Sequence, residues 1–230
     1  MRDITKLHNI YKNNPIWIAG SDPSLSSYPD DYLDGKISIT LHLANLKFPK
    51  ATYRYFNEYD RLVYLMKDNP EILKQKNIFG WPFFNKSKEH CRKLVGNPKN
   101  TYYLDLKPYP PDGDPTDIFM ERGVKAMELL VKTALEASSA TFGGSGTCLH
   151  PCMYVAVMMG ANSINIIGCN FKNIDGKEHF GNAGRIDKEM RPNIASFTSH
   201  RGDKMTRGFN AIVKGCNGLG IKINRIRKYE

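Results

Sequence analysis

The sequence predicts an α/β domain, a doubly wound and mostly parallel sheet with helices on both faces. Three observations predict it. Short apolar runs alternate along the chain with longer helical patterns, as in proteins whose strands are covered on both faces. Several of these runs stop at a glycine or a serine-rich turn, where open α/β sheets bind ligands. No internal repeat or low-complexity tract divides the 230 residues, so they read as one domain spanning 1–230 with a single large core.

Taken in order, Pro15–Ala19 is a short apolar run stopped by Gly20 and reads as a buried strand. Residues 36–43 alternate and are rich in Ile and Thr, which predicts a second strand ending near His42. Residues 51–56 predict a third, with Tyr53 and Tyr55 on one face. From Tyr59 to Lys67 the pattern is helical, with Leu62, Val63 and Met66 on one side. Residues 77–84 fit a strand or a loop, and 101–106 fit a strand. The four prolines and one glycine of 107–115 exclude regular structure and predict a long loop. The longest helical stripe runs from Asp117 to Leu135 through Met120, Val124, Met127 and Val131. A glycine-rich turn, 141–147, then leads into a helix over 148–159 closed by Gly160, and Ser163–Ile167 is a strand ended by Gly168. A glycine-rich polar loop, a helix over 203–215 and a last strand over 220–226 complete the pattern.

The formal net charge is +10, which favours anionic partners: nucleotides, phosphorylated substrates, nucleic acid or an acidic membrane surface. No homeodomain, zinc-finger or RNP1 pattern occurs, so no dedicated nucleic-acid module is expected. The one basic run, Lys222, Arg225, Arg227 and Lys228, reads as a solvated face or as weak contact with a membrane surface. The five cysteines have no scaffold-like spacing, and the first residues form no signal peptide, so a cytoplasmic location is expected. Cys148, His150 and Cys152 share a predicted helix, but His150 points away from the cysteine face and no fourth ligand is in sight. The two cysteines read as small buried residues, and no metal site is predicted.

Four places carry candidate chemistry. The turn Gly20-Ser21-Asp22-Pro23-Ser24 follows the first strand. Gly20 would let a ligand approach the backbone, while Ser21 and Ser24 offer hydroxyls and amides to phosphate. Gly144, Ser145, Gly146 and Thr147 open a helix, where free amides and the helix dipole favour an anion. Asn170 follows the strand that ends at Gly168 and would read a base or ribose; His42 lies at a comparable height. His200 stands just before the helix over 203–215, where an imidazole suits a general base, and His179 lies in the loop before it, a possible lid.

In this order the segments resemble bacterial sialyltransferases that use CMP-sialic acid on a single Rossmann-like domain, and the related MptE-like diphosphokinases and flagellin-associated DUF115-type proteins. The family's Gly-Asn-Gly-Pro-Ser-Leu stands here as Gly20-Ser21-Asp22-Pro23-Ser24-Leu25. Its middle block stands as Ser145-Gly146-Thr147 through Gly160-Ala161 to Gly168-Cys169-Asn170-Phe171. The resemblance implies that the first turn holds the nucleotide phosphates, that Ser145, Gly146 and Thr147 line the donor pocket, and that Asn170 faces the nucleotide. It further implies that His200 takes a proton from an acceptor hydroxyl on a glycan or other acceptor, with no metal or cofactor. Where the family has two tyrosines that assist the departing phosphate, this chain has Lys172 and Glu178. Lys172 can stabilise phosphate charge, whereas Glu178 opposes it. An asparagine of the family's second strand is His42 here. Two other readings stay open: an ATP- and Mg²⁺-dependent MptE-like diphosphokinase, and a non-catalytic nucleotide-binding protein. Homo-oligomers are common for such folds.

Overall fold

A computed structural model describes residues 2–57, 59–81, 100–105, 147–170 and 199–226. Eight strands form one sheet, all parallel, among the described residues: β1 (Arg2–Asp3), β2 (Pro15–Ala19), β3 (Ser38–Leu41), β4 (Tyr53–Phe56), β5 (Asn77–Trp81), β6 (Thr101–Asp105), β7 (Ser163–Ile167) and β8 (Lys222–Arg225). Their spatial order is β1-β6-β5-β4-β3-β2-β7-β8. From β2 the chain therefore builds outward through β3, β4, β5 and β6, then returns to lay β7 and β8 on the other side of β2. The order reverses between β2 and β7, and that is the topological switch point at which ligands bind in open α/β sheets.

Side chains alternate across the strands and give the sheet two apolar faces. Ile16, Ile18, Ile39, Tyr53, Tyr55, Ile78, Leu104, Ile164 and Ile166 lie in one buried cluster. That cluster also takes in α2 (Leu149–Met158) and α3 (Ser199–Gly218), the latter through Phe209, Ile212 and Cys216. On the opposite face Phe56 and Phe79 pack against Leu62 and Leu65 of α1 (Tyr59–Asp68). The predicted two-sided covering is thus present. Every residue of α2 is buried, as expected of an apolar helix held between sheet and α3.

The N-terminal segment serves α2. The amides of Asn9, Tyr11 and Asn13 donate to the carbonyls of Met158, Met159 and Gly160 at 3.0, 2.9 and 2.8 Å. These are helix-end acceptors that would otherwise lack partners. Gly160 has φ +90, so its place after the last helical turn needs a residue without a side chain, as predicted.

Several predicted bounds are corrected. The second strand stops at Leu41, because the chain turns into a 3-10 segment, His42–Leu46. Asn45 holds that turn: its amide donates to the His42 carbonyl at 2.6 Å and accepts from Thr40 Oγ1 at 2.6 Å. Helix α3 begins at Ser199, so His200 lies in its first turn and not in a preceding loop. Helix α2 begins at Leu149, which leaves Cys148 as its N-cap. The two-residue β1 has no periodic signal in the sequence. Among the described residues no helix is long and apolar enough to cross a membrane. The predicted loop 107–115, the helix 117–135, the turn residues 141–146 and the loop 171–190 lie outside the described residues.

Candidate functional site

Two turns meet at the switch point. After β2 the chain forms a short 3-10 helix, Pro23–Ser27, capped by Asp22. One carboxylate oxygen of Asp22 accepts from the Ser24 amide at 2.8 Å and from Ser24 Oγ at 2.5 Å. The other accepts from the Asn170 amide at 2.5 Å, beyond the end of β7. Asn170 Nδ2 in turn donates to Ser24 Oγ at 3.2 Å, and the Asp22 amide donates to the Gly168 carbonyl at 3.0 Å. Asp22, Ser24 and Asn170, predicted separately, are thus one corner, and the buried Asp22 carboxylate is its clamp.

This geometry changes two roles. Gly20 is needed for close approach, but to protein: a β-carbon there would collide with Cys169 Sγ and the Gly168 carbonyl. Gly168 answers it with φ +63, and a β-carbon on it would come within 2.6 Å of the Gly20 carbonyl. The amide and hydroxyl of Ser24, expected to face phosphate, are both directed to Asp22. Asp22→Ala is expected to lower stability by about 2 kcal/mol, the scale of a lost helix cap together with an amide left unpaired. Urea denaturation of both proteins checks it, and an unchanged midpoint would deny the clamp.

Arg225 also differs from its expected place on a solvated basic face. Its Nε and Nη2 donate to the Cys169 carbonyl at 2.9 and 2.6 Å, and its guanidinium lies 5.3 Å from the centre of the Phe209 ring. It therefore ties β8 and α3 to the loop after β7. Arg227 and Lys228 lie outside the described residues.

On the other flank of β2 a second group gathers. His42, at the end of β3, is buried and has φ +44, a left-handed backbone that non-glycine residues seldom adopt outside functional or tightly constrained positions. Its ring is held by the edges of Tyr55 and Phe56, each 6.3 Å away between centroids. His42 Nε2 lies 2.8 Å from Cys148 Sγ, which also donates to Asn57 Oδ1 at 3.1 Å. Cys148 is only partly buried, unlike Cys152 on the helix proper, so the reading of both as core residues holds for Cys152 alone. Thr147 is half-buried and its Oγ1 accepts from the Leu149 amide at 3.2 Å.

His150 is fully enclosed, and burial lowers its pKa to about 3 against the opposing effect of the hydrogen bond it donates to the Met205 backbone. That contact sets the first turn of α2 beside Met205 of α3. His200 lies five residues nearer the start of α3. Among the described residues no group of three His, Cys, Asp or Glu side chains is placed to hold a metal ion. Gly144, Ser145, Gly146 and Lys172 lie outside the described residues.

Asn57 and Arg225 were absent from the predicted site. Asn57 directly follows β4, and the rule that selected His42 at the end of β3 selects it too. Arg225 has no such signal, since its partner carbonyl is 56 residues away.

No protein-family profile and no curated protein matches the sequence. Among solved structures, this chain is similar to the sialyltransferase CstII from Campylobacter jejuni, determined in complex with the substrate analogue CMP-3FNeuAc. The two are 10% identical, the match covers 92% of this chain and 80% of that one, and the TM-score is 0.48.

Proposed function

We propose that the chain is a glycosyltransferase that binds a nucleotide-linked sugar of CMP type across the switch point and passes the sugar to an acceptor hydroxyl. The observation that carries this reading is the meeting of the Gly20–Ser24 and Gly168–Asn170 turns where the strand order reverses, with Thr147 and the start of α2 close by. The order of the sequence motifs that resemble sialyltransferases supports the same reading. The anionic Asp22 clamp disfavours phosphate beside Ser24. The nucleoside, which brings hydroxyl and amino donors, belongs at the Asp22–Ser24–Asn170 corner. Phosphate belongs at the glycine-rich lead into α2, where amides and the helix dipole attract it. His200 then takes the proton of the acceptor hydroxyl, and Lys172 offsets charge on the leaving phosphate. The sugar and the phosphate part in one in-line displacement.

The test is a thermal-shift series with CMP, CDP, UDP, GDP, ADP and ATP, with and without Mg²⁺. A cytidine nucleotide at one hundred times its Kd should raise Tm by roughly 5–10 °C without metal. His200→Ala should keep that shift and lose transfer. Stabilisation by ATP only with Mg²⁺ would replace this reading with the diphosphokinase, and equal loss of binding and transfer in His200→Ala would remove the base role.

A further inference from the structure

Three segments far apart in sequence deliver a nucleophile, a base and an amide to one point at the carboxyl edge of the sheet. His42 comes from the end of β3, Asn57 from the end of β4 and Cys148 from the cap of α2. The sulfur has a nitrogen of the imidazole at 2.8 Å and the amide oxygen of Asn57 at 3.1 Å. The imidazole is fixed in place by two aromatic edges and by a backbone turn of φ +44. A thiol beside a histidine at a helix N-terminus is the setting in which thiolate forms near neutral pH. The heavy atoms accommodate it: the imidazolium Nε2–H donates to sulfur, and turning the Asn57 amide over presents Nδ2–H to the same atom. Nothing in the proposed sugar transfer uses this group.

We infer that Cys148 is an activated thiol and a site of covalent modification by hydroperoxides. The inference stands without the proposed transfer. In the step, Cys148 Sγ attacks one peroxide oxygen. The S–O bond forms as the O–O bond breaks, and the departing hydroxide of hydrogen peroxide, or the alkoxide of an organic hydroperoxide, takes the Nε2 proton of His42 and leaves as water or alcohol. Sulfur is oxidised by two electrons to sulfenic acid, and the peroxide is reduced. The chain's other described thiols are poor competitors, since burial pushes Cys152 and Cys169 well above the ordinary range and Cys216 up to about 12.

The test begins with iodoacetamide labelling of the native protein, read cysteine by cysteine by mass spectrometry. At pH 6.5 Cys148 should react about ten-fold faster than N-acetylcysteine and faster than the four other cysteines, because a free thiol is then only about 1% thiolate. Its rate should stay nearly level from pH 6 to 8. Among the described residues, Tyr55, Cys152 and Cys169 interact electrostatically with Cys148, with Asp22 and Arg225 acting on Cys169. All three of the neighbours are held neutral by burial across that range. His42→Gln should restore the tenfold rise per pH unit of an ordinary thiol. Hydrogen peroxide followed by dimedone should then tag Cys148. A wild-type Cys148 no faster than N-acetylcysteine at pH 6.5 would overturn the inference whether or not His42→Gln folds, and so would unchanged reactivity in a folded His42→Gln.

Discussion

Alanine at Gly20 is expected to cost about 3 kcal/mol and to abolish nucleotide-induced stabilisation, the upper part of the range for overpacking a buried contact. The added methyl group has nowhere to go. It meets Cys169 Sγ on one side and the Gly168 carbonyl on the other, and Gly168 cannot yield because its own α-carbon faces the Gly20 carbonyl. Relief requires the ends of β2 and β7 to separate, which also pulls the Asn170 amide from Asp22. For a domain of this size the penalty appears as a fall in Tm of roughly 6–12 °C. Gly35→Ala is the control. Gly35 has φ +72 but nothing within 4 Å, so alanine there meets only backbone strain of about 1 kcal/mol. A Gly20→Ala protein as stable as Gly35→Ala would show that the two turns part freely and that the corner is not built by their contact.

Acid should destabilise the fold through His150, and the sign follows from burial. Its folded pKa of about 3 lies below the ordinary value of 6.5, so between those values the unfolded chain binds a proton that the native chain refuses. Stability is unaffected above pH 6.5 and falls as pH drops below it. The loss by pH 4.5 is about 2–3 kcal/mol, or roughly 5–10 °C in Tm. The readout is the difference in slope between wild type and His150→Leu over pH 7.5 to 4.5, since other groups titrate in both. Parallel curves would mean that the imidazole is reached by water and protonated in the fold.

What the sequence made legible, and what it hid, divides by range. Ile16–Ala19 and Ile164–Ile167 declare themselves as strands because burial on both faces leaves a single polar position, Asn165, and Gly20 and Gly168 mark where each ends. The reading failed at His42, where the apolar alternation runs on through Leu43 while the backbone turns away. The reason is a pair of side-chain bonds, Thr40 to Asn45 and Asn45 to the His42 carbonyl, which periodicity does not weigh. It failed also at Cys148. Helical pattern cannot separate a cap from a first turn, and the partners that give this thiol its chemistry lie 106 and 91 residues away. The Asp22 clamp was half legible: its capping of Ser24 is local, but its bond to Asn170 spans 148 residues.

The strand order has a further consequence in time. Strands β2 to β6 can pair with neighbours made shortly before or after them, but β2 meets β7 only across some 148 residues, as Ile16 to Ile164. Contacts of such separation are costly to close and slow to form. At ordinary rates of synthesis, roughly 7–30 s pass between the making of the two strands, and in that interval one edge of β2 is an open template. The corner where the two turns meet is therefore a late product of folding. Slowing the translation of the intervening stretch should prolong the dangerous interval and raise aggregation without altering any contact of the finished protein.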